Sequence, residues 1–197
     1  MASAMTIGHR PSIRGSVDGV GTLPCPLPSI VSVVTPVWAI DEERAPIYYL
    51  PRDCPRVTYW ALPDSSPADL DRFLGCTTAR MVIAIESGWL ERVRATSLYV
   101  YHLPGDTFTL VDKGAGFYTS TRTVTPLKVR PVGDLLRRLI EAGVELRVTP
   151  SLWPLNRVVV ASTLHYSAIR MRNAEPEPDN SRSPGTSLTR PSAPGAP

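Results

Sequence analysis

The heptapeptide PRDCPRV, Pro51 to Val57, packs several chemistry-bearing side chains into one short stretch. Arg52 and Arg56 can clamp a carboxylate or phosphate, because a guanidinium offers paired planar donors. Asp53 can act as a base or orient an arginine. Cys54 becomes a nucleophile only if the neighbouring cations lower its pKa. No histidine lies near it in sequence. The commoner arrangement of such residues is a proline-rigid loop, with Asp53 capping backbone amides and Cys54 packed inward.

A second grouping is FYTSTR, Phe117 to Arg122. Alternation along a strand puts Tyr118, Ser120 and Arg122 on one side. An aromatic face, a hydroxyl and a guanidinium together suit a nucleotide-like ligand. The two groupings are expected to wall one cleft, with Arg52, Asp53 and Arg56 from the loop and Tyr118, Ser120 and Arg122 from the strand. Chemistry there would need a carboxylate or histidine within reach, and Glu86, His102 and His165 are the candidates. Two of them also have a plain structural role: Glu86 as a helix cap, His102 as a strand-end histidine. Arg170 and Arg172, in IRMRN, are most simply a solvated edge.

Other motifs are missing from the sequence. It has no GxGxxG, P-loop, GxSxG or HExxH. Cys25, Cys54 and Cys76 are widely spaced and contain no CxxC pair, so neither a structural zinc site nor a disulfide framework is expected. No metal and no cofactor is implied. The net charge of +3 is too small to mark a nucleic-acid surface, and basic residues are dispersed among acidic ones. No segment has membrane-spanning length, and the cysteine usage suits a reducing compartment, so a cytoplasmic location is expected.

Elements must carry these residues. VWAI, RVTYWAL, ARMVIAIE, SLYVYHLP, DTFTLVD, GFYTST and VELRVTP read as strands, and VTPLKVRPV as extended. Ser66, Pro67 and Gly75 bracket a helix with Leu70, Phe73 and Leu74 on one face. A short helix is expected in SGWLERVRAT, with Trp89, Leu90 and Val93 inward. DLLRRLIEAG is a helix with Leu135, Leu136, Leu139 and Ile140 as its apolar face, stopped by Gly143. DEERAPIYYL can form only a short or distorted helix, because Pro46 sits late in it. LWPLNRVVVASTLHYS fits helix or strand, and AIRMRN reads as a terminal strand. Hairpin-like strand pairs mixed with single helices give an α+β fold, one compact domain with a mixed or antiparallel sheet and several short helices.

Three regions follow. Residues 1–34 are punctuated by Gly and Pro and read as a poorly structured or divergent segment, although Ile30 to Val34 fits a short strand. Residues 35–173 form the domain. Residues 174–197 hold one large aliphatic residue, Leu188, and no aromatic, so a disordered tail is expected.

Five blocks in order, VWAIDEERAPIYYLPRDCPRVTYWA, GWLERVRATSLYVYHLP, GFYTSTRTVTPLKV, GVELRVTPSLWPL and VVASTLHYSAIRMRNA, resemble an uncharacterised family of small bacterial proteins, a domain of unknown function. The resemblance runs from about Val37 to Ala174 and implies a bacterial cytoplasmic protein with no established reaction. The family begins on a strand resembling LYHFSE, which has no counterpart here, and His9 does not replace that strand's histidine. GFYTSTRTVTP is also similar to a late strand of ADP-ribosyltransferase-type domains. No Glu or Asp lies between Phe117 and Pro131 to match their catalytic acid. The expected function is binding of a small anionic or nucleotide-like ligand. The alternatives are a nucleotide-processing enzyme and a non-catalytic protein-interaction module.

Overall fold

A computed structural model describes residues 4–8 and 36–177 of the chain. Among these, ten strands form two sheets. Strands β1 (Ala4–Gly8), β2 (Val37–Ile40), β5 (Tyr99–Leu103), β6 (Thr109–Asp112), β7 (Phe117–Ser120) and β8 (Lys128–Pro131) make one, in the order β6-β7-β2-β1-β5-β8. Strands β3 (Arg56–Trp60), β4 (Met81–Glu86), β9 (Val144–Thr149) and β10 (His165–Ile169) make the other, in the order β10-β3-β4-β9. Every pairing is antiparallel except β4 with β9. With four short α-helices added, the fold is α+β with one antiparallel and one mixed sheet.

The helices follow local signals. In α1 (Pro67–Leu74) the Ser66 hydroxyl accepts the Asp69 amide at 3.2 Å, the capping arrangement that Ser-Pro predicts. Helix α2 (Leu90–Ala95) continues a 3-10 turn over Ser87–Trp89 and buries Val93. Helix α3 (Leu135–Glu141) is capped by Asp134, whose carboxylate accepts the Arg137 amide. It stops before Gly143, at φ +68. Its apolar face is narrower than the sequence suggests: Leu135 and Leu139 are buried, but Ile140 is 73% exposed. Leu135 and Leu139 are one turn apart and share a stripe; Ile140 is rotated a further step, past the edge of the contact. Pro46 lies in a single 3-10 turn, Ala45–Tyr48, as its position late in DEERAPIYYL requires.

The ambiguous segment LWPLNRVVVASTLHYS resolves into both forms, α4 (Trp153–Val160) and then β10. The expected terminal strand AIRMRN ends early. Arg170 adopts a left-handed conformation at φ 57, and Met171–Asn173 is a 3-10 turn. The last rung of β10 on β3 is Ile169 with Arg56. Residue 55 is proline, which has no N–H for another rung.

Strand β1 lies within residues 1–34 and pairs antiparallel with both β2 and β5. The Ile30–Val34 run, His9, Cys25 and the tail beyond Glu177 lie outside the described residues. Among the described residues no helix is long and apolar enough to cross a membrane.

Packing follows strand alternation. Met81, Ile83 and Ile85 of β4 join Trp60, Ile40, Val100, Leu135 and Leu139 in a core between the two sheets. The opposite face of the four-stranded sheet carries Val57, Tyr59, Val82 and Ala84, packed with Phe73 of α1 and Val159 of α4. A small third cluster, Ala39 and Leu103 with Tyr101, Phe108 and Tyr118 against them, lies on the other face of the six-stranded sheet. A residue's place on β3 or β7 therefore decides which compartment it enters.

Candidate functional site

The Pro51–Pro55 loop closes on itself. The Cys54 amide donates to the Pro51 carbonyl at 3.0 Å, as a proline-led turn should. Arg56, the first residue of β3, then folds its side chain back under the loop. Its Nη1 donates to the Cys54 carbonyl at 3.0 Å and to the Pro51 carbonyl at 3.4 Å. The guanidinium carbon sits 5.5 Å from the centre of the Tyr48 ring. Arg56 is 2% exposed.

This is an unusual place for a guanidinium. Among the described residues it has no carboxylate within ion-pair distance, and its Nε has no hydrogen-bond partner. Burial pushes its pKa down; the Cys54 and Tyr48 groups oppose that, and the nearby Arg170 cation adds to it. Two residues along the same face of β3, Thr58 is also fully buried, and its hydroxyl has no partner either. Buried polar groups are normally satisfied, so two orphans side by side call for a physical cause.

The other residues of the heptapeptide take different roles. Cys54 is buried in the inter-sheet core, and desolvation pushes its thiol up to about 12, more than the Arg56 charge can offset. That rules it out as a ready thiolate. Arg52 and Asp53 are exposed, and the structure uses their main chain. The Arg52 carbonyl accepts from Arg170 Nε at 3.4 Å, and the Asp53 carbonyl accepts from Asn173 Nδ2 at 2.7 Å. The Asp53 carboxylate stands 3.9 Å from Arg170 Nε. Arg170 is thus turned onto the loop rather than standing as a solvated edge. Its backbone is left-handed at φ 57, a conformation that costs energy for a residue other than glycine.

The strand residues separate from the loop residues. Tyr118 packs with the third cluster on the far face of the six-stranded sheet. Ser120, on the same face, is buried; its hydroxyl donates to Thr107 Oγ1 and accepts the Arg122 amide. Arg122 is exposed in the bend after β7, so it does not share the strand's alternation. Phe117 is the β7 residue that meets the Arg56 side, in an edge contact with Tyr48 at 6.2 Å. A second edge contact of 6.2 Å joins Phe117 to Trp38 of β2, which is 53% exposed. Tyr48, Thr58 and Trp38 carry no motif, and nothing in their local sequence marks them; Phe117 opens the FYTSTR grouping but lies on the face opposite Tyr118.

Two of the three candidate chemical groups have side-chain partners. Glu86, 2% exposed, accepts the Leu152 amide at 3.1 Å on one oxygen and the Glu175 amide at 2.9 Å on the other. It ties the start of α4 to the segment after β10 rather than capping the turn that follows it. His165 packs against Trp60 with ring centres 4.6 Å apart and planes tilted by 38°, and Gly114 passes so close that a Cβ there would lie 2.6 Å from the imidazole. His102 is half-buried in β5, where its carbonyl accepts the Leu127 amide. Among the described residues no group of three or more His, Cys, Asp or Glu could hold a metal ion.

No curated protein and no solved structure matches the chain significantly. A family model does match, over residues 24–174, and that span takes in β2 to β10 and the whole Arg56 loop but not β1. The chain belongs to that family, DUF6886, a family of unknown function.

Proposed function

We propose that this protein binds a small anion-bearing ligand at Arg56, in the space between its two sheets. The observation that carries the reading is a buried guanidinium with no carboxylate partner and an unsatisfied Nε among the described residues. A buried charge without a counter-charge is costly, and an oxyanion is the ligand that removes the cost. Nη1 is held by the two carbonyls, and Nε is left without a partner and with almost no exposed surface, so a ligand oxygen reaches it only if the packing around it opens. Arg170 adds a second cation at the loop, and Arg52 stands in the exposed turn above it. The unpartnered Thr58 hydroxyl gives the same face a further polar group.

Thermal denaturation with orthophosphate, pyrophosphate and sulfate at constant ionic strength tests the reading. A ligand that binds only the folded state raises the melting temperature in proportion to RT ln(1 + [L]/Kd). Pyrophosphate is expected to raise it by several degrees in the wild type. Arg56→Met should remove that response, and Arg56→Lys, which keeps the charge and loses the fork, should retain a part of it. If no anion shifts the wild type, or if Arg56→Met responds like the wild type, the reading fails.

A further inference from the structure

After the 3-10 turn Met171–Asn173 the chain passes back over the start of α4 as a non-helical strap. The main chain of one strap residue, Glu175, is held by two side chains. Its amide donates to a Glu86 oxygen at 2.9 Å, and its carbonyl accepts the Trp153 indole N–H at 2.7 Å. Two residues on, the Glu177 carboxylate pairs with the Arg157 guanidinium.

The elements place the three holding side chains. Along β4, Met81, Ile83 and Ile85 enter the inter-sheet core, while Val82 and Ala84 pack on the α4 side. Glu86 ends the strand in step with that second set. Trp153 and Arg157 are four residues apart on α4 and so lie one turn apart on one face. Glu86 is 2% exposed, and its other oxygen accepts the Leu152 amide. A buried carboxylate oxygen left without a donor is costly, so the second oxygen is a fixed acceptor for a passing main-chain N–H.

The bonds to Glu175 go to its main chain, and Glu175, Pro176 and Glu177 are all exposed. The grip therefore reads one N–H, the carbonyl of the same residue and an acid two positions later. The run AEPEP suits it, because each glutamate precedes a proline and is kept extended. Such a segment is pre-organised and loses little freedom on docking.

We infer that Glu86, Trp153 and Arg157 form a recognition site for an extended peptide of the form X-Pro-Glu. In this chain its own residues 175–177 fill the site, and a segment of the same chemistry from another chain takes their place when they leave. The site is independent of the anion reading: Arg56 pairs in register with Ile85, on the other face of the four-stranded sheet.

The test uses the full chain and two capped hexapeptides, AEPEPD and AEPKPD. Glu175→Pro removes the amide that Glu86 holds and releases the strap. Glu177→Lys, which sets a cation against Arg157, is the second releasing variant. Both positions are exposed, so both variants are expected to fold, and circular dichroism checks this. The readout is the Trp153 indole N–H signal in NMR spectra, assigned with Trp153→Phe. In the wild type the tethered strap acts at an effective concentration on the order of millimolar, so sub-millimolar AEPEPD should leave the signal unmoved. In the releasing variants the signal should move, and AEPEPD should return it saturably toward the wild-type position. AEPEPD should bind at least about threefold tighter than AEPKPD, the size of one exposed ion pair. Adding Arg157→Glu should reverse that preference. No saturable return in either releasing variant would make the strap purely intramolecular and overturn the site. Equal binding of the two peptides, or a preference that survives Arg157→Glu, would overturn Arg157 as the reader of the acid. A signal unmoved in both releasing variants would overturn the Trp153 grip on Glu175.

Discussion

The Arg56 guanidinium lies over the Tyr48 ring, 5.5 Å from its centre, and both belong to the space between the two sheets. The contact joins a strand residue to a 3-10 turn eight positions upstream, across a loop whose own carbonyls hold the arginine. It depends on the ring face. Tyr48→Phe keeps that face and is expected to leave stability within about 1 kcal/mol of the wild type. Tyr48→Leu removes the face and the Phe117 edge contact together, and should cost roughly 2 kcal/mol or more. Urea denaturation of both variants checks the difference; equal losses would mean that the ring face contributes nothing.

Glu86 holds two backbone amides from segments far apart in sequence. Glu86→Gln keeps the shape but turns one acceptor into a donor, so one amide loses its partner inside the protein. A destabilisation of about 1–3 kcal/mol is expected. Hydrogen exchange should speed up at Leu152 or Glu175 before it does so in β4. Unchanged protection at both amides would contradict the tie.

Cys54 is pushed the opposite way from a reactive thiol. It is neutral in the folded and the unfolded chain below about pH 8.5. Between there and about 12 the unfolded chain loses the proton and the folded chain keeps it, so folding stability falls as pH rises through that window. The urea midpoint should drop between about pH 8 and about pH 10 in the wild type and drop less in Cys54→Ala. Peptide mapping after mild alkylation should find Cys76, which is exposed, modified well before Cys54.

Two neighbouring residues of α3 should differ sharply. Leu139 is fully buried in the inter-sheet core, and Leu139→Ala should cost about 2–5 kcal/mol. Ile140 faces water, and Ile140→Ala should stay within about 0.5 kcal/mol. Equilibrium denaturation of the pair measures both.

Legibility differed by element. Ser66-Pro67 to Gly75 and the run Met81–Glu86 were plain from local chemistry: a cap with a pre-set first turn, and a near-continuous apolar run of the kind a buried strand shows. Asp69 shows where that stops. Its carboxylate answers the Ser66 cap locally, yet it also accepts the Thr163 amide and hydroxyl at 2.8 and 2.7 Å, from a residue 94 positions away. Those bonds hold its pKa down, led by the Thr163 amide. The reading of AIRMRN as one strand missed the break at Arg170, because the missing rung belongs to Pro55, in the loop that precedes the partner strand.

The amino-acid sequence by itself determined the α+β class, the rigid proline-led loop at Pro51–Pro55, and the family. Those rest on short-range propensities and on ordered blocks of residues. Only the tertiary structure decided which residues meet Arg56. Alternation along Phe117–Ser120 divides that strand into two sets with an aromatic in each, and period two alone is blind to which set looks at the second sheet. Pairing of β7 with β2 turned Phe117 toward Tyr48 and Tyr118 away from it. The same packing buried Arg56 without a carboxylate, a property that belongs to the environment of the side chain and not to its neighbours in sequence.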